Sequence, residues 1–422
     1  MLALMLLVAL QLAFVSDVRL TPRFEIDELA RPTFQLFEFL LPALLLLWLG
    51  TGARHLLTLR IRTEDLIFAG FVVWALCLAI AGGDALHSVS RAKDFVAAWI
   101  LFAVLRDLAI DKSQLRQVVW AGLLIVAACS LLGMVQMSGA EFWVNSGPGR
   151  LLSTLNNWKA LYDPFTGETK TADFAQGLYW FPQDFSYYLV VPLFIAITLT
   201  AQDRAALPVA LLILIALLGT GSKAFYLVGF SLAAWVILSK VGRLTRQARF
   251  ALTSLAALNV AILAGLLIDR HVALKLLGTF QWRVEQWIDT FRMVVDKPGV
   301  LLTGHGTTYL AESFSRFAYA NPHNVALYFL VEYGVIGLLL FASFLWVNLA
   351  KLAADLRRAP EPFIGATRIA KGILIGLCVL LAMMAVDDFF VQTQMTALFF
   401  FYLGLARRLT SPDAALGHKQ PI

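Results

Sequence analysis

Charge is scarce in this 422-residue chain: Asp, Glu, Lys and Arg together make up 15% of it. A soluble domain carries about a quarter. Cysteine is scarcer still. Cys77, Cys129 and Cys378 are the three present, each inside an apolar stretch and without the spacing of a zinc site or a disulfide framework. They read as small buried hydrophobes. Residues 1–16 have no basic n-region and no convincing cleavage site, so they are expected to be an uncleaved first helix. Low-complexity tracts and internal repeats are also wanting. Paired repeats with matching Gly or Pro breaks are frequent in secondary transporters; a transporter or flippase remains a possible reading, without that signal in its favour.

What the chain has in excess is apolar residues, at 59%. They fall in blocks long enough to cross a hydrocarbon core of about 30 Å. Lipid offers the backbone no hydrogen-bond partner, so such blocks should be helices. The fold class expected is therefore all-α: a polytopic membrane protein, one transmembrane domain over 1–422, with about twelve spans. They are placed near 1–16, 35–51, 65–82, 93–110, 118–138, 186–201, 206–220, 224–240, 250–268, 324–347, 372–388 and 391–406.

Basic residues cluster in alternate connections. Arg54, Arg60, Arg62, Arg106, Lys112, Arg116, Arg204, Lys240, Arg243, Arg246, Arg249, Lys351, Arg357, Arg358, Arg368, Lys371, Arg407, Arg408 and Lys419 all fall on one side of the expected topology. That side should be cytoplasmic, with both termini on it. The basic balance then reflects topology rather than nucleic-acid binding.

Two connections on the other side are long, 139–185 and 269–323. Loops of this length in a compact protein are usually functional or disordered, and their aromatic content argues against disorder. In the second, Phe280, Val284, Trp287, Ile288, Phe291, Val294 and Val295 recur at helical spacing, with Glu285, Asp289, Arg292 and Asp296 opposite. This predicts an amphipathic helix of about four turns, its apolar face on the membrane surface or the bundle. Pro298 should end it. Arg283 lies at the rim of the apolar stripe, where a cation could reach a lipid phosphate or simply snorkel.

The densest chemistry starts at Asn321-Pro322-His323-Asn324 and runs through Glu332, Gly334 and Gly337. Pro322 suits a first helical position, which puts His323 in the first turn. Free backbone N–H groups and the positive end of the helix dipole attract phosphate there. The same setting favours the neutral imidazole that a general base requires. Glu332, on the far side of the helix from His323, reads as an inter-helix contact. Gly334 and Gly337 permit close packing. Upstream is Gly304-His305-Gly306, by itself no more than a tight-turn signal. Asp387-Asp388 lacks a third ligand, so no metal is expected.

Taken together these elements resemble the O-antigen ligase and polymerase superfamily. The likeness rests on Arg283-x3-Trp287, Asp296-x-Pro298, Gly304-x-Gly306, His323-Asn324 and Glu332-x-Gly334-x2-Gly337, with Thr220-Gly221-Ser222-Lys223 as the Thr-x-Ser-basic element that opens a helix on the outer side. It covers about 218–345 by motif. Topology extends it to the whole chain: twelve helices and a large late periplasmic loop.

The resemblance implies metal-free, cofactor-free transfer of a glycan from undecaprenyl diphosphate to an acceptor hydroxyl at the periplasmic face of a bacterial inner membrane. In a ligase the acceptor is lipid A core or another glycolipid. In a polymerase it is another lipid-linked repeat unit. His323 matches the family's histidine and would take the acceptor's proton. Arg283 and Lys223 match its basic positions and would neutralise the leaving diphosphate. The family usually has arginine where this chain has Lys223, and lysine offers charge without a bidentate fork. Arg91 and Lys93, at the outer end of the fourth span, are candidates for the missing contact or plain interfacial cations. Arg150, Asp184 and Asn324 are weaker candidates for substrate contact. Trp143, Trp158, Tyr179, Trp180 and Phe181 could stack on sugar or anchor the interface.

Overall fold

The computed structural model describes residues 17–19, 33–35, 42–43, 45–46, 62–81, 85–107, 112–138, 161–162, 169–170, 182–222, 270–296, 298–306, 323–358, 364–384, 390 and 393–411. Helices dominate them: α1 Thr63–Ala81, α2 Ala85–Asp107, α3 Lys112–Ser138, α4 Pro182–Leu199, α5 Ala206–Gly219, α6 Arg270–Val295, α7 Pro298–Thr303, α8 Val325–Arg358, α9 Ile364–Met383 and α10 Thr393–Thr410. Two minimal antiparallel pairs accompany them, β1 Asp17–Arg19 with β2 Thr33–Gln35, and β3 Leu161–Tyr162 with β4 Thr169–Lys170. The spans expected at 1–16, 224–240 and 250–268 lie outside the described residues, and so do Asp387 and Asp388.

Within α1, α3, α8 and α9 lie stretches long and apolar enough to cross a membrane; α4 and α5 are shorter apolar helices. Their outer surfaces are greasy. Val73 and Ile80 on α1, Leu124 and Leu131 on α3, and Leu339 and Trp346 on α8 are all exposed. Such contiguous apolar surface would be a liability in water and suits lipid. Glycines let α9 approach α4 closely: a Cβ at Gly372 would meet the Phe194 carbonyl at 2.8 Å, and one at Gly376 the Val191 Cα at 2.8 Å. Small residues serve membrane helix packing in this way. The core is aromatic. Phe71, Phe95, Phe329, Tyr333 and Phe341 pack with ring centroids 4.5–6.4 Å apart, joining α1, α2 and α8.

The charges that the sequence assigns to one side of the membrane do meet at one end of the bundle. Arg106 binds Asp65 and Asp107 at 2.8 Å each. Lys351 pairs with the fully buried Glu64, and Arg407 pairs with Asp355 at 2.9 Å. The ends of α1, α2 and α10 and the C-terminal half of α8 are thus pinned together.

Two details depart from the sequence expectation. The amphipathic helix begins at Arg270 rather than near 280, so the second long connection is largely helical; Ala, Leu and Lys, all good helix formers, carry it through 273–277. Pro298 does not merely stop that helix. It opens α7, where its missing N–H costs nothing.

Candidate active site

The site is organised by a break in α8. Gly334 has φ 67 and ψ −174 in the middle of that helix. A helical carbonyl at residue i normally accepts from the amide at i+4, so the break frees the carbonyls just before it. Three other donors take their place. The His305 N–H reaches the Val331 carbonyl at 2.7 Å and the Gly306 N–H the Glu332 carbonyl at 3.1 Å. The Trp74 indole N–H, from α1, reaches the Tyr333 carbonyl at 2.8 Å. The turn 304–306 is therefore a plug for the broken helix. Glycine is needed on both sides of the contact. Gly304 has φ 83, and a Cβ there would lie 2.4 Å from the Glu332 oxygen; a Cβ on Gly334 would lie 2.3 Å from the Leu302 oxygen. The Gly-x-Gly and Glu-x-Gly motifs are thus one structural unit, made from segments about thirty residues apart.

At the other end of the same stretch, His323 precedes the helix instead of sitting in its first turn. Asn324 is the cap: its Oδ1 accepts the Leu327 N–H at 3.0 Å, as a preferred N-cap residue does. His323 has φ 46, and no other non-glycine among the described residues has a positive φ. A left-handed conformation costs a non-glycine residue about 1 kcal/mol. Strain of this kind persists where surrounding structure enforces it, often at functional sites.

Arg91 and Lys93 lie in the second and third turns of α2, which starts earlier than expected. The Arg91 guanidinium points inward and donates to the Tyr328 hydroxyl of α8 at 2.8 Å. Asp94 sits 3.7 Å from Arg91 and 3.1 Å from Lys93. Glu332 is buried on the same side of α8, within electrostatic reach of Arg91. Arg91 therefore ties α2 to the first turns of the helix that His323 precedes, and Lys93 is the more exposed of the two cations. Tyr328 and Trp74 had no motif to draw attention to them. Their role shows only once α1, α2 and α8 are brought together.

Thr220-Gly221-Ser222 ends α5. Thr220 donates to the Leu217 carbonyl at 2.7 Å and accepts the Ser222 N–H at 3.2 Å, and Gly221 turns the chain with φ 58. Whatever helix Lys223 opens lies outside the described residues, as do Lys223 itself and Arg150. Ser222 is linked to α4, where the Ser186 hydroxyl donates to its oxygen at 3.0 Å. Two residues before Ser186 is Asp184, buried in the first turn of α4, where a carboxylate complements the helix dipole. The turn at 220–222 and the first turns of α4 therefore meet. Arg283 is partly buried on α6, which packs against both α7 and α8. Among the described residues, no group of His, Cys, Asp and Glu could hold a metal ion.

Residues 208–342, from α5 to beyond the break in α8, match the family model described as O-Antigen ligase. The match takes in the Thr220–Lys223 element, α6, the 304–306 turn, His323 and the Gly334 break. It supports the superfamily that the motifs resemble, and with it glycan transfer of the O-antigen ligase or polymerase type. Together with the apolar helices it identifies a membrane protein. No curated protein matches the chain.

Proposed function

We propose that this protein transfers a glycan from undecaprenyl diphosphate to lipid A core at the periplasmic face of a bacterial inner membrane, with both termini cytoplasmic. The supporting observation is the strained His323, held ahead of a capped helix start inside the segment that matches O-Antigen ligase.

The chemistry asks for three things. His323 accepts the proton of the attacking sugar hydroxyl. The new glycosidic bond forms at the anomeric carbon as the bond to the diphosphate oxygen breaks, on the opposite face, so the centre inverts. Arg283 and Lys223 balance the negative charge that develops on the leaving diphosphate. Lys93, two residues along α2 from the Arg91 that holds Tyr328, can add to that charge. Arg91 serves the geometry by holding Tyr328. Asp184, Arg150 and Asn324 are assigned to substrate contact, Asn324 being also the cap that follows His323. Neither a metal nor a cofactor enters this scheme.

The test is a deletion strain examined for its lipid-linked intermediates. Loss of a ligase leaves long glycan on undecaprenyl diphosphate and bare lipid A core. Single repeat units, some still joined to core, would instead show a polymerase.

A further inference from the structure

The side of α6 that faces the protein carries two uncharged polar residues beside Val294, and part of the apolar stripe is left for the membrane surface. Ile288, Phe291 and Val295 are 45%, 51% and 42% exposed. Glu285, Asp289, Arg292 and Asp296 form a second exposed sector. The buried sector holds Gln286, Thr290 and Val294 at 9%, 0% and 0% exposure, with Arg283 one turn earlier on the same face. The helix thus offers one sector to lipid, one to water and one to the bundle.

Two of the inward atoms lack a partner. Gln286 Oε1 and Thr290 Oγ1 are buried and make no hydrogen bond among the described residues. Buried polar groups nearly always find a partner, and an exception calls for a reason. Thr290 has a cheap one within reach, since a helical threonine can donate to a carbonyl three or four residues back. Thr198, Thr200, Thr220, Thr303 and Thr410 all do so here, at 2.7–3.1 Å. Thr290 does not; its hydroxyl is left for something else.

We propose that Gln286 and Thr290 form the subsite for the first sugar of the lipid-linked donor, a specificity-determining pair next to the diphosphate. This rests on the functional reading above. The order along the helix fits a sugar diphosphate. Arg283, Gln286 and Thr290 stand at i, i+3 and i+7, which spans about 10 Å at the helical rise. That is a cation for phosphate, followed by two neutral groups. A side-chain amide and a hydroxyl each donate and accept, which matches sugar hydroxyls and an acetamido group in both senses, whereas ionised phosphate oxygens only accept.

The experiment uses the full-length protein in nanodiscs and two probes, undecaprenyl diphosphate and the same lipid bearing one N-acetylglucosamine. Thr290→Val and Gln286→Met keep shape and remove the polar atoms. Each is expected to weaken binding of the sugar-bearing probe about tenfold, as the loss of one or two buried hydrogen bonds does, and to leave the sugar-free probe unchanged. Thermal stability should hold or rise, because an unpaired buried polar group is removed. Equal affinity for the sugar-bearing probe in parent and variants overturns the subsite, as does an equal loss for both probes; either would make the two groups water-satisfied packing. If the parent binds neither diphosphate probe better than phosphatidylglycerol, the functional reading itself fails.

Discussion

Gly334→Ala should detach the 304–306 turn from α8, and its cost can be worked from the contacts. The new Cβ would lie 2.3 Å from the Leu302 oxygen and 2.5 Å from the Gly304 nitrogen, both backbone atoms, at φ +67. A backbone at φ 67, ψ −174 is essentially open to glycine alone and costs alanine about 1–3 kcal/mol. Relief of the clash requires the turn to withdraw, which removes the His305 and Gly306 amides from the Val331 and Glu332 carbonyls. Each buried carbonyl left without a partner costs about 1–3 kcal/mol. The sum, about 3–9 kcal/mol, rivals the whole stability of many domains. The turn should therefore give way before the bundle does. The assay pairs thermal unfolding in detergent with glycan transfer by the reconstituted protein. The midpoint is expected to fall by several degrees and transfer by more than tenfold. Gly122→Ala is the control, since nothing lies within 4 Å of a Cβ there. A Gly334→Ala protein matching the parent in both readouts would refute the idea that the two glycine motifs form one unit.

Three further substitutions probe the same architecture. His323→Gly relieves the backbone strain at φ 46, so it should match or exceed the parent's thermal midpoint while losing transfer; a destabilised protein would contradict the strain argument. Trp74→Phe keeps the ring and removes the N–H held by Tyr333, at an expected cost of about 1–3 kcal/mol for the orphaned carbonyl, read as a lower unfolding midpoint. Lys223→Arg should retain much of the transfer rate and Lys223→Ala should not, if positive charge is what that position supplies; equal rates in both would remove it from the diphosphate site.

The helices were legible in the sequence wherever long apolar blocks forced them, as at α1, α3, α8 and α9. The amphipathic α6 was legible from its periodicity, but not the direction it faces. An apolar stripe can turn to lipid as readily as to protein, and only the packing of α6 against α7 and α8 decides that Gln286 and Thr290 go inward. The sequence places His323 in the first turn of its helix, whereas it stands just before the Asn324 cap. The signal was present in Asn324, a strong N-cap residue that already marks the boundary. Glu332 reads as a structural or inter-helix contact, and the structure buries it within electrostatic reach of Arg91 on α2. Its counterpart on α2 could not be read, because Arg91 looks like any cation near a membrane edge until Tyr328 is seen beside it. The Gly334 break was equally hidden. A Gly-x2-Gly spacing suggests close packing, and nothing local says that a turn some thirty residues upstream will supply the missing amides.

The most direct test of the account is transfer by purified protein in proteoliposomes, with undecaprenyl-diphosphate-linked glycan as donor, lipid A core as acceptor and a metal chelator present throughout. The account predicts core extended by the glycan through an inverted anomeric linkage, and no product from His323→Ala protein inserted to the same level. Loss of transfer on adding chelator, a retained anomeric configuration, or near-normal turnover by His323→Ala would contradict it.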